Sequence, residues 1–447
     1  SGIVLCIATI AAEGIIVSLC EYTGHTRILM ASKNIPWYTP VTEKSFYNRM
    51  GIAPRTTRIQ KLPVHKNGNF QYPLVNKVRP VMRNKYNIVW LVAESLRADM
   101  LTPEIMPNSF RFAQSNINFR DHYSGGNGTR MGMFTQFYGL YGNYWFDALH
   151  SQTPPAILNA VQANDYRMKA FTSATFTYPE FDKTIFSQLR SDQMQSYVKG
   201  YGWERDRKNT SDLINFLKDS REPTFAFMFF ESSHANYYFP ESSVIKPDFL
   251  EDFDYLATDI DAHIGQIKNR YINATHHLDS QIARILDYLK SSGKLDNTIV
   301  LITGDHGEEF MEKGRWGHNS TFSQEQIRVP LVLHIPGQPV KIINRMTSHL
   351  DIPATLAAAL GIDASSIDLG FGNNLLAPDY QRTYTVASDW HGSVLISRDS
   401  KFTLSPGATV DGNRMTSLND QPLAEDTVLA GEPRLLNRFL SDMAHYY

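Results

Sequence analysis

The chain has 447 residues, 42% apolar and 20% charged, with a formal net charge of −2. That length suffices for one large α/β domain, alone or with a small one beside it, and the near-neutral balance offers no global attraction to nucleic acid. Its two cysteines, Cys6 and Cys20, share one N-terminal apolar stretch, which argues against a disulfide framework and excludes a thiol nucleophile or thiolate zinc site further along.

That stretch, Gly2 to Cys20 with a break at Glu13, is close to the ~20 residues that span a bilayer. It lacks the charged start and small-residue cleavage site of a signal peptide. Residues 1–33 therefore read as the end of a membrane region, its last transmembrane helix; an apolar helix packed on a soluble domain is the alternative. Pro36 and Pro40 then break the periodicity, and residues 34–85 read as an irregular basic linker, with no Asp or Glu between Lys44 and Ala93. Basic side chains directly after a membrane helix are placed to meet anionic lipid headgroups, and Arg79, Arg83 and Lys85 are the candidate contacts.

Residues 86–447 read as the main domain. A strand starts at Asn87 and runs to Ala93, then a helix is expected from Met106 to Gln114, a strand from Met168 to Thr172 and a helix from Ser211 to Leu217. The apolar run Thr224–Phe230 is another strand. Leu278, Ile282, Ile285 and Leu289 recur at helical spacing within a long helix from about Asp254 to Ser291, stopped by Gly293. It hands over to a strand at Thr298. Val329–Ile335 is a further strand, Ile352–Leu360 a helix, and Ser393–Arg398 with Lys401–Leu404 a hairpin. The class is α/β: a central, mostly parallel sheet flanked by helices, with a small C-terminal antiparallel sheet.

Three of the apolar runs end in polar chemistry. Asn87–Ala93 meets Glu94-Ser95, Thr224–Phe230 meets Glu231-Ser232-Ser233-His234, and Thr298–Thr303 meets Gly304-Asp305-His306-Gly307-Glu308-Glu309. Carboxyl ends of parallel strands share one edge, so these clusters converge in one crevice. Hard oxygen donors and imidazoles together suit a divalent metal; zinc, manganese, magnesium and calcium all remain open. Glu94, Asp305 and His306 are the candidate ligands. The loop Ser124-Gly125-Gly126-Asn127-Gly128-Thr129-Arg130 supplies a nucleophile candidate, because Thr129 would open a helix where free amides favour anions. A metal ion would stabilise its alkoxide, and Arg130 could neutralise an ester oxygen. His234 and His318 could bind a second ion or hold a substrate oxygen. Glu231 is a weaker candidate, and His276 and His277 read as surface or packing residues.

The strand ending in Glu94-Ser95, the Gly-rich loop with Thr129, the Ser233-His234 pair, and "TIVLITGDHGE" with a downstream "GH" resemble the alkaline phosphatase/sulfatase superfamily. The resemblance is closer to the branch with phosphoethanolamine transferases and lipoteichoic acid synthases. Within it, "HYSGGNGTRMGMFTQFYGLYGNYW" and "SHLDIPATLAAALGI" are similar to inner-membrane proteins of the YejM type. The resemblance implies a metal site of Glu94, Thr129, Asp305 and His306, with Thr129 covalently substituted, and His234 and His318 on the substrate side. It implies that His349 and Asp351 stand behind the ligands, and that the domain faces the periplasm from the bacterial inner membrane. Gly128-Thr129-Arg130 departs from the C/S-x-P-S-R motif of formylglycine sulfatases, which argues against sulfate-ester hydrolysis.

Two functions of different class follow as expectations. One is a metal-dependent phosphoester hydrolase or phosphotransferase acting on envelope lipid or glycolipid. The other is a membrane-tethered regulator that binds anionic lipid, cardiolipin or lipopolysaccharide, on a vestigial hydrolase fold.

Overall fold

The computed structural model describes residues 70–75, 80–252, 258–390, 392–404, 414–423 and 433–447. The proposed membrane helix, most of the basic linker and Arg79 lie outside the described residues. Among those described, no helix is long and apolar enough to cross a membrane.

The scaffold is an eight-stranded sheet. In spatial order its strands are Lys341–Ile343, Ile117–Phe119, Leu331–His334, Thr298–Gly304, Asn87–Ala93, Thr224–Phe230, Arg167–Thr172 and Met194–Ser196. Leu331–His334 runs antiparallel to both its neighbours, and the other pairs are parallel. Strands covered on both faces read as unbroken apolar runs, which is why Thr224–Phe230 and Thr298–Gly304 are buried at every position.

Side chains alternate between two helical layers. Val89, Leu91, Met228, Phe230, Val300 and Ile302 share one core cluster with Leu278, Ile282, Ile285 and Leu289 of the helix Ile260–Ser291. On the opposite face Trp90 stacks on Phe137 of the helix Thr129–Tyr138, with ring centroids 4.2 Å apart, and Phe227 meets the same ring edge-on at 5.5 Å. Burying these aromatic rings contributes about 1.5–3 kcal/mol each and fixes the helix that carries Thr129 against the sheet.

Several boundaries differ from those expected. The helix expected at Ser211 begins nine residues earlier, at Gly202, where the Glu204 carboxylate accepts the backbone N–H of Tyr201 (2.8 Å). The long helix begins at Ile260, where the side chain of Asp259 accepts the N–H of Ala262 (3.2 Å). Pro330 has no N–H for the ladder, and the strand expected from Val329 is confined to Leu331–His334. The expected hairpin belongs to a four-stranded antiparallel sheet that also contains Tyr384–Ser388 and Arg414–Ser417. On the long helix His277 is buried and His276 Nδ1–H reaches the carbonyl of Ile105 (2.8 Å), so both are packing residues.

The last part of the stretch read as linker lies on the domain. Tyr72 and Met82 are buried, and the backbone N–H groups of Arg83 and Asn84 both donate to the Leu360 carbonyl at 3.1 Å. The Arg83 side chain is exposed, while the Lys85 ammonium reaches the carbonyl of Asn164 (3.3 Å).

Candidate metal centre

Register sets the site. Ala93 pairs with Phe230 on one side and with Gly304 on the other. The ladder then runs one residue further: Glu94 N–H donates to the Phe230 carbonyl (3.0 Å) and Asp305 N–H to the Ala93 carbonyl (3.2 Å). Glu94, Glu231 and Asp305 therefore leave the sheet side by side. Ser95 turns the chain in the left-handed region at φ 59°. Tyr271, from the long helix, pins that turn: its hydroxyl donates to the Ser95 carbonyl (2.7 Å) and accepts from Arg97 N–H (3.0 Å).

The Gly-rich loop is held against these strand ends. A Cβ on Gly132 would lie 2.0 Å from the Asp305 carbonyl oxygen, so only glycine lets the first turn of the Thr129–Tyr138 helix approach so closely. Asn319 N–H donates to the Asn127 carbonyl (2.9 Å) and Asn127 Nδ2 to the Thr321 carbonyl (2.8 Å), which brings the His318 loop alongside.

Four polar atoms converge there. Thr129 Oγ1 donates to Glu94 Oε1 (2.7 Å) and lies 3.4 Å from His306 Nε2. His306 Nε2 is 3.1 Å from Glu94 Oε1 and 3.4 Å from Asp305 Oδ2. Asp305 Oδ1 accepts from the N–H groups of Ser95 (3.0 Å) and His306 (2.8 Å), whereas its Oδ2 is buried with no hydrogen-bond partner among the described residues. His306 Nδ1 faces the Gly307 carbonyl (2.7 Å), which only accepts, so Nδ1 carries a proton; Nε2 donates to Glu94 when the ring is charged and presents a lone pair when it is neutral.

Two carboxylate oxygens and an imidazole lone pair aimed at one another, all buried, repel unless a proton or a cation lies between them. Burial and the Glu94 charge push the Asp305 carboxyl well above its ordinary range. Burial also acts against ionisation of Glu94, but His306, His234 and His318 hold its carboxyl well below the usual range. This donor set fits a divalent cation.

His318 stands closer than a substrate-side residue need be. One ligand atom from each of Glu94, His306 and His318 lies within 4.8 Å of the other two. Its Nδ1 is held by Glu308 Oε2 (2.9 Å), whose other oxygen accepts the Tyr237 hydroxyl (3.0 Å). Burial opposes ionisation of Glu308, and the His318 charge outweighs it to lower that carboxyl. His234 flanks the cluster, its ring centroid 6.0 Å from that of His318. Burial works against its protonation, but Glu231 at 3.5 Å from Nδ1 and the Glu94 charge dominate and raise it to about 9. Glu231 is itself paired with Arg205, and Asp206 holds the N–H groups of Glu231 (2.9 Å) and Ser232 (2.8 Å).

The remaining candidates are placed differently. Arg130 does not stand free for an ester oxygen: its Nε and Nη2 grip Glu180 at 3.0 and 3.1 Å, and its guanidinium lies 4.7 Å from the Tyr178 ring and 4.4 Å from the Trp390 ring. His349 lies behind the site, with Nδ1 at 3.2 Å from the Gly132 carbonyl and Nε2 at 3.4 Å from Thr303 Oγ1; burial lowers it to about 3, so the ring is neutral. Asp351 lies in the interior, bound to Arg382, Tyr380 and the N–H of Asn373. Sequence reasoning gave no role to Glu308, Tyr237 or Tyr271. Glu308 stood in the acidic cluster without a signal tying it to His318, and neither tyrosine is near the motifs in sequence.

Residues 86–362 match the protein family described as sulfatase. Over 387 residues the chain is 27% identical to the inner membrane protein YejM of Salmonella typhimurium, covering 84% of this chain and 59% of that protein. It is 21% identical to lipoteichoic acid synthase 2 of Bacillus subtilis, over 79% of this chain and 55% of that one. The chain thus spans less than two thirds of the length of these relatives. Among solved structures, a phosphonate monoester hydrolase from Silicibacter pomeroyi superposes with a TM-score of 0.64 at 16% identity, over 81% of this chain and 96% of that one, a likeness of fold.

Proposed function

The chain belongs to the sulfatase family, and on that premise we propose that it is a metal-dependent phosphoester hydrolase or phosphotransferase with Thr129 as its nucleophile. The observation that carries this reading is the convergence of Thr129 Oγ1 on Glu94, Asp305 and His306, with an Asp305 oxygen left unpartnered in the interior. Glu94, Asp305, His306 and Thr129 would hold the cation. When bound, the cation favours the Thr129 alkoxide and offsets charge on the ester.

The protein's own groups do the rest. Thr129 opens its helix, so its oxygen sits at the positive end of the dipole. In the cation-free site the hydroxyl proton lies on the hydrogen bond to Glu94; with a cation held there, that proton would pass to solvent before the Oγ1–P bond forms. His234, cationic at neutral pH, donates a proton to the leaving oxygen as the P–O bond breaks. Water or an acceptor hydroxyl then attacks phosphorus, giving its proton to the now neutral His234, as the Thr129 Oγ1–P bond breaks. Purified protein loaded in turn with zinc, manganese, magnesium and calcium is expected to turn over aryl phosphates or phosphodiesters and to leave aryl sulfates intact. Turnover confined to the sulfate ester would end the proposal.

The His234 assignment has a pH signature. Raised against burial by Glu231, His234 stays protonated above its ordinary range, so the rate falls on the alkaline side as it loses its proton; a cation at Glu94 offsets the part of the raise that Glu94 supplies. Glu231→Gln removes the main raising contact, and the alkaline limb is expected to move down by roughly one to two units, read from kcat against pH. An unmoved limb would assign that titration elsewhere.

Similarity to a protein named for the inner membrane supports placing the domain at the bacterial inner membrane; its periplasmic side, and envelope lipid or glycolipid as substrate, are part of the proposal. In that setting Arg79, Arg83 and Lys85 would meet anionic headgroups such as cardiolipin or lipopolysaccharide, and the exposed Arg83 side chain suits the role best. The regulator reading shares this surface, since a bound lipid can be both ligand and substrate.

A further inference from the structure

An open cleft of about 480 Å³ is lined by Tyr197, Lys199, Glu204, Arg205 and Lys208 among others. Its volume falls within the range of about 300–1,000 Å³ common for small-ligand sites. The cleft is formed where the edge strand Met194–Ser196 ends and the helix Gly202–Lys218 begins, so it opens at the same carboxyl edge of the sheet as Glu94, Glu231 and Asp305.

Its lining is cationic. Three basic side chains face one acid, Glu204, which is engaged in capping Tyr201. Lys208 Nζ lies 3.8 Å from the Tyr197 ring centroid, and Tyr197 donates its hydroxyl to Asp212. Among the described residues Lys199 makes no hydrogen bond or ion pair. Arg205 is the group that separates this cleft from a merely solvated basic face. Its Nη2 pairs with Glu231, yet its Nε–H is buried without a hydrogen-bond partner, a donor awaiting an acceptor. Like charges gathered around a concavity raise the local attraction for an anion.

We propose that this cleft is a second anion site, taking a phosphate-type group. The proposal rests on the phosphoester reading of the metal centre and extends it: the substrate carries a second phosphate or phosphate-like group. Adjacent strands lie ~4.8 Å apart, and three strand steps separate the Asn87 strand, which ends at Glu94, from the Met194 strand, so the two anions would sit roughly 14 Å apart. Arg205 links the positions, because the Glu231 carboxylate it holds also faces His234.

Free phosphate and a lipid phosphate headgroup offer the same chemistry. Calorimetric titration of the metal-loaded full chain with inorganic phosphate is expected to show two binding events. Lys199→Ala and Lys208→Ala are each expected to weaken one of them by about tenfold, with Lys199→Arg restoring affinity and melting temperatures verifying the fold. Cosedimentation with phosphatidylcholine vesicles, with and without phosphatidic acid, separates the sources: lysine-dependent capture only when phosphatidic acid is present identifies a lipid headgroup, and capture by neither with phosphate binding intact identifies a soluble ester. A single binding event, or phosphate affinity untouched by both lysine changes, overturns the proposal. Lysine-dependent binding in a protein that turns over no phosphoester would instead remove the catalytic reading and leave the cleft standing.

Discussion

Thr129→Ala is expected to lower phosphoester turnover by about 10³–10⁶-fold, with the fold intact. The side chain makes two polar contacts, to Glu94 and to His306, and Glu94 keeps its His306 contact when the hydroxyl is removed. The change therefore costs about 1 kcal/mol of stability while deleting the atom that forms the bond to phosphorus. Thr129→Ser keeps the oxygen and loses the methyl that restricts its rotamer, so it should retain a measurable fraction of activity. Mass spectrometry of wild-type protein quenched during turnover should find a phosphoryl adduct on residue 129, absent from the Ala variant. Equal rates in Thr129→Ala and wild type would show that the nucleophile is elsewhere.

Much of this arrangement was legible in the sequence because parallel strands buried on both faces leave little ambiguity. The runs ending at Ala93, Phe230 and Gly304 are in register, and reading their ends as one crevice required only that they be parallel neighbours. Thr129 as a helix start followed from the glycines before it. What the sequence withheld was the choice of partner for side chains on loops. Arg130 was free to aim at the crevice until Glu180, fifty residues on, and two aromatic rings claimed it. Glu308 and Glu309 are adjacent, yet one turns to His318 and Tyr237 while the other binds Ser323 and Gln326 in the loop behind. No periodicity distinguishes them, because that division is set by a turn rather than by a regular element. Helix starts were missed for a related reason: Glu204 and Asp259 fix them through caps, which are single contacts and not patterns.

Asp305→Asn is expected to separate metal affinity from fold more cleanly than any other change. Asn is isosteric with Asp, and its carbonyl oxygen can still accept the N–H groups of Ser95 and His306. The lost negative charge is the one facing Glu94 in the interior. Removing a charged ligand should weaken metal binding at least as much as removing a residue behind a ligand, about 100-fold. At a metal concentration near a thousand times the wild-type Kd, binding stabilises the wild type by about 4 kcal/mol and the variant by about 1.4 kcal/mol. The contrast reads directly as a smaller rise in Tm on adding metal. The pH dependence has a definite sign. Because the Asp305 carboxyl is raised by burial and by Glu94, the folded metal-free protein holds that proton to higher pH than the unfolded chain does. Its stability therefore falls as pH rises from the ordinary carboxylate range toward the raised value, and metal affinity climbs over the same interval as the proton is released. In Asp305→Asn both trends should vanish, so that under chelator the variant melts above the wild type at neutral pH. A wild type whose Tm ignores all four metals and whose chelated form is as stable as Asp305→Asn would mean that the buried oxygens are satisfied by protons alone.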